Sequence, residues 1–187
     1  MADTVTTERR ERSMGALVAA LGIAVNVAVM GPATTLLSLA LVAAYYLWVA
    51  ARWSPVGPRL LPLYLLGITV QCVHFYEEYQ SGFQREFPGL LGYQWTDARF
   101  VTFNLLWLAT FVVAAFGLSR NSRLAYLIVF FFALGGGVGN GLGHLMLSVV
   151  QRRYFPGLLT APLCLLIGVA LLVRLLWPPH PDGDGIA

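Results

Sequence analysis

Lysine is absent from this sequence, acidic residues number only nine, and charged side chains of all kinds make up 11% of the 187 residues. Soluble domains carry roughly a quarter charged residues. At 58% hydrophobic, a chain of this length could not enclose enough interior to fold in water. A bilayer is the solvent that suits it. The basic complement is twelve arginines, for a net charge of +3. They are too few and too scattered to form a nucleic-acid surface, so nucleic acid is excluded as a partner. Only two cysteines occur, Cys72 and Cys164, both inside apolar runs. They read as small packing residues, with no disulfide or metal pair expected.

What is abundant is long apolar sequence. Runs fall at about 14–31, 35–51, 60–81, 100–119, 124–150 and 158–177, each near the roughly 20 residues a spanning helix needs. Breakers separate them, among them Gly31-Pro32, the stretch from Ser54 to Pro58, and the polar segment from Ser81 to Arg99. Backbone groups in hydrocarbon must be satisfied within their own segment, so the runs are read as helices. The fold class expected is therefore all-α: a polytopic transmembrane helix bundle of about six spans. Residues 1–13 form an N-terminal tail, 14–177 a single transmembrane domain, and 178–187 a disordered tail. The first run, preceded by Arg9, Arg10 and Arg12, also has the outline of a secretory signal, but no small-x-small cleavage site follows cleanly.

Arginine bias sets the expected orientation. With the N-terminus inside, Arg9, Arg10, Arg12, Arg52, Arg59, Arg120, Arg123 and Arg174 flank inner ends, against Arg85, Arg99, Arg152 and Arg153 outside. This predicts a multi-pass protein of the cell (inner) membrane with both termini cytoplasmic.

The third run ends His74-Phe75-Tyr76-Glu77-Glu78, and the fifth contains Asn140-Gly141-Leu142-Gly143-His144. Residues three and four apart share a helix face, which groups His74 with Glu77 and Glu78, and Asn140 with His144. His144 lies about 9 Å from the outer end of its span, and Asn104 about 6 Å inside the start of the fourth. Glu78 is a few residues from the end of the third. Three segments thus place polar groups at matched depth in one leaflet. Ionisable residues at membrane depth are costly and usually face a cavity.

Two acids beside two imidazoles in a poorly hydrated pocket have their proton affinities pushed apart, which supplies one site with an acid and a base. The expected catalytic set is His74, Glu77, Glu78, Asn140 and His144. Glu78 is the proton carrier, one turn from His74. Glu77 points about 100° away from Glu78 and either orients His144 or holds a metal. Tyr76, Trp95, Asn104 and Trp107 are candidate substrate-binding residues, the aromatics through π-faces that stabilise a cationic intermediate. The expected activity is isomerisation or cyclisation of a terpenoid or sterol-like molecule, with no cofactor and a lipophilic small molecule as partner. Two alternatives stay open. His74, Glu77, Glu78 and His144 would also satisfy a divalent metal such as zinc in a hydrolase, since His-x-x-Glu-Glu is one residue from the inverted zinc motif His-x-x-Glu-His. Or the protein is a non-catalytic lipid- or ion-binding membrane protein. In the fifth span, Gly135 and Gly139 read as helix-packing positions, and Gly141 and Gly143 as space beside Asn140 and His144.

His74-Phe75-Tyr76-Glu77-Glu78, with His144 as a second downstream histidine, resembles the signature of the HXXEE membrane family across spans three to five. A more distant resemblance is to the EXPERA superfamily of sterol isomerases and sigma-type receptors, in which a His-x-x-x-Glu ends one helix and Asp-Ser-Arg-Tyr precedes the next. Here His74 to Glu78 and Asp97-Ala98-Arg99-Phe100 stand in similar places. That resemblance implies proton handling around a carbocation by His74 and Glu78. Asn140 stands roughly where an acidic residue of the isomerases is expected, and the remaining isomerase acids have no match.

Overall fold

The computed structural model describes residues 2–51 and 55–177. The tail at 178–187 lies outside them. Among the described residues every regular element is helical. In chain order they are α1 (Ala2–Met30), α2 (Thr35–Ala50), α3 (Gly57–Ser81), α4 (Phe83–Leu90), α5 (Asp97–Ser119), α6 (Arg123–Phe131), α7 (Asn140–Gln151) and α8 (Ala161–Leu176). A 3-10 turn, Gly31–Thr34, joins α1 to α2, and a π-helical segment, Phe132–Gly139, joins α6 to α7 without a break.

Four stretches are long and apolar enough to cross a membrane: Thr6–Ala50, Gly57–Ser81, Asp97–Ser119 and Arg123–Gln151. The first, at 45 residues, would measure about 68 Å if straight, twice a hydrocarbon core. It folds back on itself at Gly31, whose φ of +72° only glycine adopts readily. Across the resulting hairpin Asn26 Nδ2 donates to Ser38 Oγ (3.3 Å) and Tyr45 OH donates to the Arg12 carbonyl (3.5 Å). Counting both arms of that hairpin and the shorter α8, the bundle has six apolar helical segments, α6 and α7 forming one and α2 and α8 being the shortest at 16 residues each. α1 begins well before the apolar run, so most of the expected N-terminal tail is helical. An Arg123–Glu11 ion pair (3.0 Å) ties that extension to α6.

Arg123–Gln151 is the central rod: 72% of its apolar window is buried, against 22–33% for the other three stretches. The outer helices expose large apolar side chains such as Leu17, Leu36, Val113 and Leu166. A water-soluble monomer would not leave so much apolar surface uncovered; lipid covers it. The rod packs against α8 through glycine. A Cβ on Gly137 would stand 2.5 Å from the Gly168 Cα, and one on Gly141 2.8 Å from the Ala161 carbonyl oxygen. The packing pair on this face is therefore Gly137 and Gly141. Gly139, expected to pack, meets only its own rod, at Leu134. Gly135 is a packing position, as expected, but against α2: a Cβ there would stand 2.8 Å from Leu37 Cδ1 and 3.6 Å from Ala40 Cβ.

Consecutive segments run up and down, so loops gather at two ends. At one end Trp48 Nε1 donates to the Arg123 carbonyl (2.7 Å) and Gly57 N to Asn121 Oδ1 (3.0 Å). At the other, Trp95 Nε1 donates to the Met30 carbonyl (2.8 Å), and Arg153 pairs with Glu86 (2.8 Å). The last turns of α3 and α7 lie at this second end, capped by α4 and by the loop 152–160.

Candidate active site

His74, Glu78 and His144 meet inside this second end. His74 and Glu78 face inward from α3 one turn apart, and His144 comes across from α7. Glu78 Oε1 lies 3.1 Å from His144 Nε2 and 3.5 Å from His74 Nε2. The two imidazoles stand edge to face with centroids 4.8 Å apart. All three residues are buried, His74 completely.

Glu77, the next residue along α3, does different work. Its carboxylate accepts four hydrogen bonds: Tyr154 OH (2.7 Å) and Leu159 N (2.8 Å) on Oε1, Thr160 N (2.9 Å) and Thr160 Oγ1 (2.5 Å) on Oε2. Leu159 and Thr160 lead into α8, so Glu77 satisfies free amides at the start of that helix and places negative charge at its positive end. Both oxygens are fully used. Glu77 is therefore removed from the expected metal set, and it orients His74, not His144, by way of Thr160.

That route fixes a tautomer. Thr160 Oγ1 is 2.6 Å from His74 Nδ1. A hydroxyl has one proton, and an ionised carboxylate only accepts. Thr160 gives its proton to Glu77 and must accept one from His74, so the proton of neutral His74 is on Nδ1. Nε2 then points a bare lone pair toward the carboxylate of Glu78. The buried side-chain atoms without a partner among the described residues are His74 Nε2, His144 Nδ1 and Gln84 Oε1. Two of the three belong to this cluster.

The surroundings are apolar and tightly closed. Phe83 and Phe155 lie against the His144 ring at centroid distances of 5.1 and 6.3 Å. Gly157 crosses the other side: its φ is +94°, and a Cβ there would stand 2.5 Å from His144 Nδ1. The loop is held by Arg153–Glu86, by Phe155 N donating to Ser148 Oγ (3.2 Å), and by Tyr154 on Glu77. Burial, together with the Glu77 charge, pushes the Tyr154 phenol above its ordinary pKa and keeps it a donor.

Other expected site residues lie elsewhere. Tyr76 is 65% exposed on the outer face of α3, since it sits two residues, about 200° of helix, from both His74 and Glu78. Trp107 Nε1 donates to Asn26 Oδ1 (3.0 Å), tying α5 to α1. Asn104 Nδ2 returns to the Phe100 carbonyl of its own helix (3.0 Å). Trp95 bonds Met30 and stacks on Phe100, reaching the cluster only through Phe83. Asn140 is half-buried one turn from His144 and makes no hydrogen bond to the trio among the described residues. Thr160, Tyr154 and Gly157 were missed. They sit in one loop: Tyr154 and Thr160 are 77 or more positions from the glutamate or histidine they touch, and Gly157 is 13 positions from His144.

A helical membrane protein with a buried His–Glu–His centre is thus defined. The chain belongs to the family described as "Protein of unknown function with HXXEE motif", whose model matches residues 65–172. The match runs beyond the fifth span and takes in Thr160 and most of α8. No curated protein and no solved structure matches the chain, so the resemblance to sterol isomerases gains no support from them.

Proposed function

We propose that this protein is an integral membrane enzyme that applies His/Glu acid–base chemistry to a lipophilic substrate. One observation carries the reading. His74 Nε2 and Glu78 Oε1 face each other at 3.5 Å with no donor between them once Thr160 has claimed the Nδ1 proton. Two lone pairs at that distance, with almost no access to water, need a positive charge between them. A shared proton is the simplest, and a proton held between a buried carboxylate and two imidazoles is available for transfer. Buried polar groups kept only for stability are normally fully paired.

Isomerisation or cyclisation of a terpenoid or sterol-like chain suits this arrangement. Glu78 protonates an alkene and takes the proton back, while the faces of Phe83 and Phe155 stabilise the intervening cation. The same reading puts the protein in the cell membrane with both termini cytoplasmic and the trio in the outer leaflet, following the arginine bias.

The test compares lipid extracts of cells expressing wild-type protein, Glu78→Gln protein, or an empty vector, by untargeted mass spectrometry. Wild type should deplete one lipophilic compound and accumulate another, by an isomeric mass if the reaction is isomerisation. Glu78→Gln should match the vector while still reaching the membrane. Identical extracts from wild type and Glu78→Gln would refute proton transfer at this residue.

A further inference from the structure

We infer that His74, Glu78 and His144 hold a divalent transition-metal ion of the zinc class; this rests on the reading of the trio as the reacting centre and names the positive charge at it. Each residue offers one ligand atom, and these atoms lie within 4.8 Å of one another. A tetrahedral ion with ligand distances near 2.1 Å holds its ligand atoms about 3.4 Å apart. The contacts from Glu78 Oε1 to the two imidazoles, 3.1 and 3.5 Å, straddle that value. Two imidazoles and one carboxylate form the donor set of a catalytic zinc site with its fourth position left for water or substrate. Nitrogen donors argue against magnesium and calcium, which prefer oxygen throughout.

The outer contact of His74 has the same character, while His144 Nδ1 has no acceptor among the described residues. A histidine that binds a metal through one nitrogen usually donates its other N–H to a fixed acceptor, often backed by a carboxylate. His74 does so through Thr160 to Glu77, leaving Nε2 bare and aimed at the other two ligands. His74 is fully buried and its Nε2 has no partner. This explains why the motif needs two adjacent glutamates: Glu78 faces the ion, and Glu77 fixes the tautomer that exposes a lone pair to it. A water on the ion would then be the group that exchanges protons with substrate, with Glu78 as ligand.

The experiment uses the full chain purified in detergent, stripped with chelator and titrated with Co²⁺, read by the visible d–d bands and by elemental analysis. The expected result is one Co²⁺ per chain with the intense bands of tetrahedral coordination, displaced by Zn²⁺. Glu78→Gln and His144→Gln should abolish the bands. Glu77→Gln should keep them and weaken binding about 10- to 100-fold, as outer-shell changes do. Circular dichroism and gel filtration establish that each variant is folded; where one is not, the wild-type stoichiometry and band intensity decide alone. No binding by wild type at 100-fold excess Co²⁺, octahedral bands, or equal binding by folded Glu78→Gln would overturn the inference. The lipid-extract comparison separates the two readings. Loss of turnover in Glu78→Gln without metal in wild type leaves proton chemistry standing. Metal binding with full turnover in Glu78→Gln leaves a site that is not the reacting centre.

Discussion

The middle and the second end of the bundle both bury polar side chains, and they treat them in opposite ways. In the middle, Asn26 is fully buried, accepts from Trp107 Nε1 and donates to Ser38 Oγ. Tyr64 is likewise buried and donates to the Phe111 carbonyl (3.2 Å). These groups are paired and join α1, α2, α3 and α5. At the second end, His74 and His144 are just as deeply buried, and each keeps a ring nitrogen without a partner. An unmade bond of this kind costs about 1–3 kcal/mol. Burial alone therefore does not mark a site in a membrane bundle. Burial with unused bonding capacity, concentrated where three side chains converge, does.

The contrast is sharpest at Glu78. Replacing it with Gln keeps the shape and removes the charge, and turnover should fall by about 10²–10⁴, the range for an acid–base group. Thermal stability should change little. A matching loss of stability would mean that Glu78 is structural, like Asn26. Asn26→Ala is the reverse case. It strands the Trp107 N–H and the Ser38 hydroxyl, and should cost about 1–3 kcal/mol, with turnover unchanged in the folded fraction. Thermal unfolding in detergent, read beside the lipid-extract assay, separates the two outcomes.

Gly157→Ala tests the loop between them. It forces a side chain into a positive φ and against His144, a strain of about 1–3 kcal/mol. Because the clash falls on a ring of the trio, activity should drop along with stability. Activity surviving intact would show that the loop can withdraw from His144 at no cost.

The smallest effect belongs to Tyr154. Its raised pKa means that the folded state favours the protonated phenol. The resulting stability is present below the ordinary tyrosine range near pH 10 and is lost as the pH climbs above it. Tyr154→Phe should flatten that alkaline limb and cost about 1 kcal/mol at neutral pH. An unchanged limb would assign it to another group.

The spans were legible because a bilayer demands long apolar helices and punishes breaks, so Gly31-Pro32 and the arginine-bearing loops read as boundaries. The convergence of His74, Glu78 and His144 was legible from helix periodicity and depth. Periodicity gives direction but not partner, which is why Glu77 was assigned to His144 or to a metal. Its partners lie in a loop more than 75 positions away, and nothing in Leu159-Thr160 announces a cap. Asn104 and Trp107 had suitable depth and the wrong azimuth, which only the packing of α5 against α1 decides. The π-helical turn was hidden for a similar reason: Gly135-Gly136-Gly137 is compatible with α and π winding alike, and contact with α8 selects between them.

Everything proposed for the site depends on where the proton of His74 sits. Long-range ¹⁵N–¹H correlation spectra of histidine-labelled, metal-stripped protein report the tautomer of each ring directly. His74, assigned by comparison with His74→Gln, should show a protonated Nδ1 and a bare Nε2, and Thr160→Val should abolish that preference. A His74 ring protonated on Nε2 in the wild-type protein would contradict it. Nε2 would then donate to Glu78, no lone pair would face the carboxylate, and neither a shared proton nor a metal ion would be needed there.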